Sequence, residues 1–351
     1  MIRLLIAAAT SVTISLFGTR FLIDFLSRHN VGQPIREDGP QGHAVKAGTP
    51  TMGGIAILAG AFFGYIAADI ANLFGVGTSN VFTRTGLIVM GTILATGFVG
   101  FLDDWIKISR ERNLGLNKKA KVIGLLSVAV AFAVLLLTTT SVHTELSVVR
   151  WDSLGWDLGK IGWSIWAVLL ILASANAVNL TDGLDGLASG AAILNFAGFT
   201  FIAFWAFRHQ SDYDIPHALD LAVISVSMLG GCVGFLWWNA APAQIFMGDT
   251  GSLAIGAGLA ALALTTNTHL LLPIMGLLFV TETVSVILQI LVFRTQGGRR
   301  LFRMAPIHHH FELAGWPETR VIIRFWLISG LTTGVGVGIF YWDSIRQGIT
   351  A

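Results

Sequence analysis

Apolar residues run in long blocks along this chain, broken at intervals by short polar clusters. The blocks cover 4–26, 52–74, 86–102, 122–140, 162–181, 187–207, 218–238, 252–266, 270–293 and 321–342. Most reach or approach the roughly 20 residues a helix needs to cross a hydrocarbon layer. The pattern predicts about ten membrane helices, the eighth being the shortest. Too little chain remains between them for a separate soluble unit, so residues 1–351 are expected to form one integral membrane domain of all-α, polytopic class.

Composition agrees. Hydrophobic residues make up 54% of the chain and charged residues 12%, and the mean hydropathy is +0.72, outside the range of soluble globular domains. The first block runs on through Arg20 to Leu26 and no small-x-small site follows it, so it is expected to be a retained helix rather than a cleaved signal. The single cysteine, Cys232, lies inside a block. It excludes an internal disulfide and is expected to be an inert buried thiol.

Charge sets the sides. Alternate loops 27–51, 103–121 and 294–320 carry fourteen Lys and Arg residues, whereas the opposite set holds six: Arg3, Arg84, Arg150, Lys160, Arg208 and Arg346. Basic residues collect on the cytoplasmic side, which places both termini outside. The segment 143–160, with two Trp-Asp pairs, is expected to form a short outer hairpin at headgroup level. Five polar motifs then share the cytoplasmic face: HAVKAGTPTMGG (43–54), FLDDW (101–105), NLTDGLDG (179–186), NAAPAQIFMGDTG (239–251) and RMAPIHHHFE (303–312). For five motifs, this pattern predicts one site.

Each motif also has a plainer reading. Asp103 and Asp104 could mark where a helix leaves the bilayer, and neighbours on a helix point about 100° apart. Asp182 and Asp185 share a face only if their helix continues; otherwise NLTDGLDG is a polar turn, with Asn176 and Asn179 one turn earlier. Asp249 precedes the eighth block, where Thr250 or Ser252 could cap the helix. Three consecutive histidines cannot converge on one metal from a helix, so His308, His309 and His310 suit phosphate or a planar base better than zinc. KAGTPTMGG lacks the P-loop spacing, and GAGLAA (256–261) sits inside a predicted membrane helix, where it reads as packing. Glu282, Ser285 and Gln289 form one stripe expected to face protein or a water-filled cavity. Asp69 and Asp220 are expected to be ordinary interfacial acids.

Taken together, Asp103, Asp104, Asp182, Asp185 and Asp249 with nearby Lys and His predict magnesium and phosphate chemistry. Mg²⁺ takes carboxylate and phosphate oxygens, and converging carboxylates repel without a cation. On this reading the acid pair sits at the water boundary, where a soluble phosphate donor meets a lipid acceptor.

Five segments in order, KAGTPTMGG, FLDDWIK, NLTDGLDGLA, FMGDTGSLAIG and FRMAPIHHHFELAGWPE, carry a resemblance that spans nearly the whole chain. The chain resembles the polyprenyl-phosphate N-acetylhexosamine-1-phosphate transferase superfamily, and the triple-His segment resembles its phospho-N-acetylmuramoyl-pentapeptide branch. The resemblance implies transfer of phospho-MurNAc-pentapeptide from UDP-MurNAc-pentapeptide to undecaprenyl phosphate, giving lipid I and UMP, with Mg²⁺. It also implies a multi-pass protein of the bacterial inner membrane with a cytoplasmic site, a role in cell-wall synthesis and hence cell shape and division, a homodimer, and no nucleic-acid partner. Asp103, Asp104 and Asp249 are implied as essential acids and metal ligands, Asp249 foremost, and His308 as the required histidine. Lys46, Thr51, Asn176, Asn179, Asp182, Asp185, Asn239, Phe246, Gly248, Gln289, Ala305, His309 and His310 are implied as the nucleoside and diphosphate pocket, Phe246 stacking on uracil. Either Lys119 or Lys121 is the pocket lysine. A GlcNAc-1-phosphate transferase is the alternative within the superfamily. A transporter is the alternative outside it, disfavoured because the acids gather at one surface and no repeat relates the halves.

Overall fold

A computed structural model of the chain describes residues 1–28, 48–73, 82–109 and 115–349, except for the side chains of 70–73. Lys46 lies outside the described residues. In chain order the helices are α1 (Ile2–Arg28), α2 (Gly54–Leu73), α3 (Arg84–Ser109), α4 (Lys118–Thr139), α5 (Gly159–Thr181), α6 (Leu187–Arg208), α7 (Gln210–Tyr213), α8 (Ala218–Asn239), α9 (Gly248–Thr265), α10 (Leu272–Met275), α11 (Leu277–Thr295), α12 (Ile307–Leu313) and α13 (Glu318–Arg346). Over their described residues, all ten apolar blocks form helices. The ninth is interrupted at Gly276 and divides into α10 and α11. Among the described residues, eight helices (α1, α3, α4, α5, α6, α8, α11 and α13) are long and apolar enough to cross a membrane.

Helix α9 explains the short eighth block. It has 18 residues, rich in Gly and Ala, and all but the first are buried. It packs among α2, α3 and α5, as a helix apolar on every side must. Small residues let the backbones close in: a Cβ on Gly256 would stand 2.2 Å from the Ser174 carbonyl of α5, and one on Gly54 2.1 Å from the Gly251 nitrogen. GAGLAA is therefore a packing surface, as predicted.

The two ends of the bundle differ. At the end where α3 begins, Asp220 is 1% exposed, and its Oδ2 accepts from the Thr83 N–H at 2.6 Å and the Thr83 hydroxyl at 2.7 Å. Rather than an ordinary interfacial acid, Asp220 holds the start of α3 from the neighbouring α8. Between α4 and α5, β1 (Glu145–Leu146) pairs antiparallel with β2 (Trp156–Asp157), the expected hairpin. It is tied down by His269, whose Nδ1 accepts from the Trp166 indole at 2.7 Å and whose Nε2 lies 3.0 Å from the Ser147 nitrogen. The opposite end holds the polar motifs.

Candidate active site

Helix α3 does not stop at its acid pair. It continues to Ser109, so Asp103 and Asp104 lie within it, 3% and 2% exposed. Both carboxylates are held inside the protein rather than on its surface. What draws them in is the N-terminus of α9. No side chain of its own caps that helix; neither Thr250 nor Ser252 does so. Instead Asp104 reaches across from α3, its Oδ1 accepting from the Asp249 N–H at 3.1 Å and its Oδ2 from the Thr250 N–H at 2.9 Å and hydroxyl at 2.8 Å. A carboxylate on the free N–H groups of a helix start is favoured by both hydrogen bonding and the helix dipole. The junction needs glycine at 248: its φ is +75° and a Cβ there would meet Asp104 Oδ2 at 2.5 Å.

Asp249 stands in the first turn of α9, 8% exposed. One ligand atom from each of Asp103, Asp104 and Asp249 lies within 4.8 Å of the others. The three therefore share a space although two are helix neighbours. Their charge is balanced by Lys107, whose Nζ is 2.6 Å from Asp103, 3.0 Å from Asp249 and 3.6 Å from Asp104. Lys121, on α4, adds a second ammonium 2.7 Å from Asp249 Oδ2, and Asn179 donates to the other Asp249 oxygen at 2.6 Å. Of the two candidate lysines, Lys121 reaches the acid cluster and Lys119 is exposed.

An oxygen-only donor set this tight fits a hard divalent cation that keeps part of its water shell. Lys107 Nζ already occupies the cationic position between the carboxylates. The residues that could hold such an ion are Asp103, Asp104 and Asp249.

Other predicted residues divide. Thr51 is buried beside Gly248, on a strap fixed by hydrogen bonds from Phe246 N to Pro50 O and from Gly53 N to Phe246 O, at 2.8 and 2.9 Å. Phe246, on the 240–247 loop bonded to this strap, is half-buried. Asn239 is buried with both amide ends used, donating to Ile245 O at 2.9 Å and accepting from Ser189 at 3.0 Å; it shapes the 240–247 loop. Asn176 is exposed and bonds its own helix at Leu172 O. Helix α5 ends at Thr181, so Asp182 and Asp185 do not share a helical face. Asp185 instead accepts from Ala243 N at 2.9 Å. Gln289 holds the 301–302 backbone, its Oε1 accepting at 3.0 and 2.9 Å, and Ala305 lies half-buried just beyond.

The histidine segment is helix α12, and its three rings part as a helix requires. His308 is fully buried against Glu282, Nδ1 to Oε2 3.0 Å. His309 pairs with Glu312 at 2.7 Å, and His310 accepts from Arg303 N at 3.1 Å. Glu282 and Ser285 are buried, as their stripe predicts. Sequence reasoning missed Lys107, whose signal was its spacing of three and four residues from the acids, and the Glu282–His308 pair, whose two halves lie 26 residues apart.

Asp182, the cap residue of α5, is pushed up to about 8, first by burial and then by the charges of Asp249, Asp104 and Asp185. A carboxyl that is neutral when folded but ionised when unfolded, above about pH 4, makes folding less favourable as pH climbs toward 8. In cation-free protein, Asp182→Asn is expected to flatten the fall of Tm between about pH 5 and 8 and to raise Tm at pH 8 by roughly a few degrees, read by thermal unfolding.

Comparison with known proteins then places the chain. The family described as Glycosyl transferase family 4 matches residues 86–267, which spans α3 through α9 and so the acid cluster. The class is thus a polytopic membrane glycosyl transferase. A second match, described as phospho-N-acetylmuramoyl-pentapeptide-transferase signature 1, covers residues 46–58. The chain is 49% identical to the phospho-N-acetylmuramoyl-pentapeptide-transferase of Mycobacterium tuberculosis over 358 residues, 97% of this chain and 98% of the relative. The same identity holds for that of Corynebacterium aurimucosum, over 98% of this chain and 97% of the relative, and of Rhodococcus jostii, over 97% and 98%. The chain belongs to the phospho-N-acetylmuramoyl-pentapeptide-transferase family.

Proposed function

We infer that this protein transfers phospho-MurNAc-pentapeptide from UDP-MurNAc-pentapeptide to undecaprenyl phosphate, releasing UMP and forming lipid I in peptidoglycan synthesis. The observation that carries the chemistry is the convergence of Asp103, Asp104 and Asp249 at one end of the bundle; similarity along nearly the full chain supports the substrates. The proposal includes Mg²⁺ as cofactor, ten membrane crossings in the bacterial plasma membrane with this end cytoplasmic and both termini outside, one domain, and a homodimer.

The acceptor is a phosphate monoester with a second pKa near 6 by analogy with phosphorylated side chains, so at neutral pH it is mostly dianionic. It needs little activation. A non-bridging oxygen of the lipid phosphate attacks the sugar-linked phosphorus in line; the bond to the bridging oxygen breaks, and UMP departs with that electron pair. Asp103 positions the acceptor beside Lys107, whose ammonium offsets the incoming charge. Asp104 holds the start of α9 and thereby Asp249. Lys121, Asn179 and the 48–54 strap flank the donor's diphosphate, and Phe246 takes the uracil. The chemistry a divalent cation supplies when bound is neutralisation of the diphosphate and of the leaving phosphate.

The test is UMP release by purified protein given undecaprenyl phosphate, Mg²⁺ and either UDP-MurNAc-pentapeptide or UDP-GlcNAc. Turnover is expected with the first donor. Release with UDP-GlcNAc alone contradicts the muramoyl reading. Labelled donor without lipid is expected to leave no covalent phospho-sugar on the protein; a trapped adduct would replace direct attack with an aspartyl intermediate.

A further inference from the structure

Between α11 and α12 lies a pair with no place in the acid cluster. Glu282 and His308 are each 0% exposed, and Glu282 Oε2 is 3.0 Å from His308 Nδ1. Each also keeps one buried polar atom, Glu282 Oε1 and His308 Nε2, with no hydrogen-bond partner among the described residues. A buried polar atom left unmatched costs about 1–3 kcal/mol, so its retention calls for an explanation. His308 Nε2 lies against the turn after α5: a Cβ built on Gly183 would stand 2.4 Å from it. Only glycine lets the ring come so close. Four residues earlier on the same segment Asn179 donates to Asp249 at 2.6 Å, so the unmatched nitrogen packs on the stretch of chain that also reaches the acid cluster.

We propose that Glu282 is a positioning residue for the transfer: it accepts the Nδ1–H of His308, fixes the ring's tautomer and orientation, and presents Nε2 to a phosphoryl oxygen of the bound donor. This rests on the transfer activity proposed above. An imidazole without a fixed partner divides between two tautomers and two ring orientations. A carboxylate on Nδ1 removes that freedom, so that Nε2 keeps one direction, and from the doubly protonated ring its N–H donates to an anionic oxygen. Outer partners of this kind affect function through the group they orient. Were the pair only a clamp holding α12 to α11, loss of Glu282 would act on folding and donor affinity rather than on kcat.

The test compares Glu282→Gln, His308→Asn and the double variant in the full-length protein. For Glu282→Gln, kcat for UMP release is expected to fall ~10- to 100-fold, while the Kd for UDP-MurNAc-pentapeptide shifts less than about threefold. The double variant is expected to be no slower than His308→Asn alone, because both changes remove one function. An unchanged kcat in Glu282→Gln, or losses that multiply in the double variant, overturns the proposal. Should Glu282→Gln not fold, ¹⁵N-histidine NMR of the unaltered protein decides. The signal missing from His308→Asn is expected to report a protonated Nδ1, and a bare Nδ1 with protonated Nε2 overturns the proposal. An unaltered protein that releases no UMP refutes the transfer reading instead, and the NMR result still tests the pair.

Discussion

Asp249→Asn is expected to lower UMP release by about 10³-fold or more, with the protein still folded. The residue meets three partners at once: Lys107 at 3.0 Å, Lys121 at 2.7 Å and Asn179 at 2.6 Å. An amide keeps the shape and can still accept from Asn179. It removes the negative charge that holds two ammonium groups and that a divalent cation would use. The backbone N–H of residue 249 remains on Asp104, so the start of α9 is preserved and a folding defect is not expected. Steady-state UMP release with a parallel Tm separates the effects. Retained activity would remove Asp249 from the centre.

Lys107→Met is expected to produce the largest change in stability, conditional on cation. Its ammonium lies within 3.6 Å of all three carboxylates, and its side chain is 29% exposed whereas theirs are 4%, 2% and 12%. Taking away one partner of a buried charge group costs about 3 kcal/mol, because the other charges stay desolvated and uncompensated. In chelator the variant should unfold roughly 5–10 °C below the unaltered protein. Millimolar Mg²⁺ should restore most of that loss, since the ion enters a site no longer occupied by an ammonium. Mn²⁺ should likewise bind the variant more tightly than the parent. An equal Tm deficit with and without Mg²⁺ would show that Lys107 and the cation do not compete for one place.

The membrane fold was legible because each apolar block can satisfy its backbone in a bilayer only as a helix. The break at Gly276 was not legible, since nothing in an apolar run shows where packing interrupts it. For the site, the motifs identified the acids but not their geometry. Adjacent Asp103 and Asp104 meet Asp249 because the glycine turn at 248 brings α9's N-terminus onto α3, a tertiary approach that spacing does not encode. Helix phase decided the lysines. With Asn117 capping α4 through the Ala120 N–H, Lys121 turns toward Asp249 and Lys119 toward solvent. Similarly Asn176 and Asn179, three residues apart and about 60° out of line, part company: only Asn179 reaches the acids. Lys107 was hidden because a lysine in a loop read as cytoplasmic already had an explanation in the charge asymmetry.

The account depends on a single divalent ion being held jointly by α3 and α9. Crystals of the protein grown with Mn²⁺ and examined by anomalous diffraction test this most directly. The prediction is one strong site bounded by carboxylates of Asp103, Asp104 and Asp249, with the Lys107 ammonium moved off the position it takes here. Manganese found elsewhere, or Lys107 still seated among the three acids with the ion bound at a distance, would contradict it.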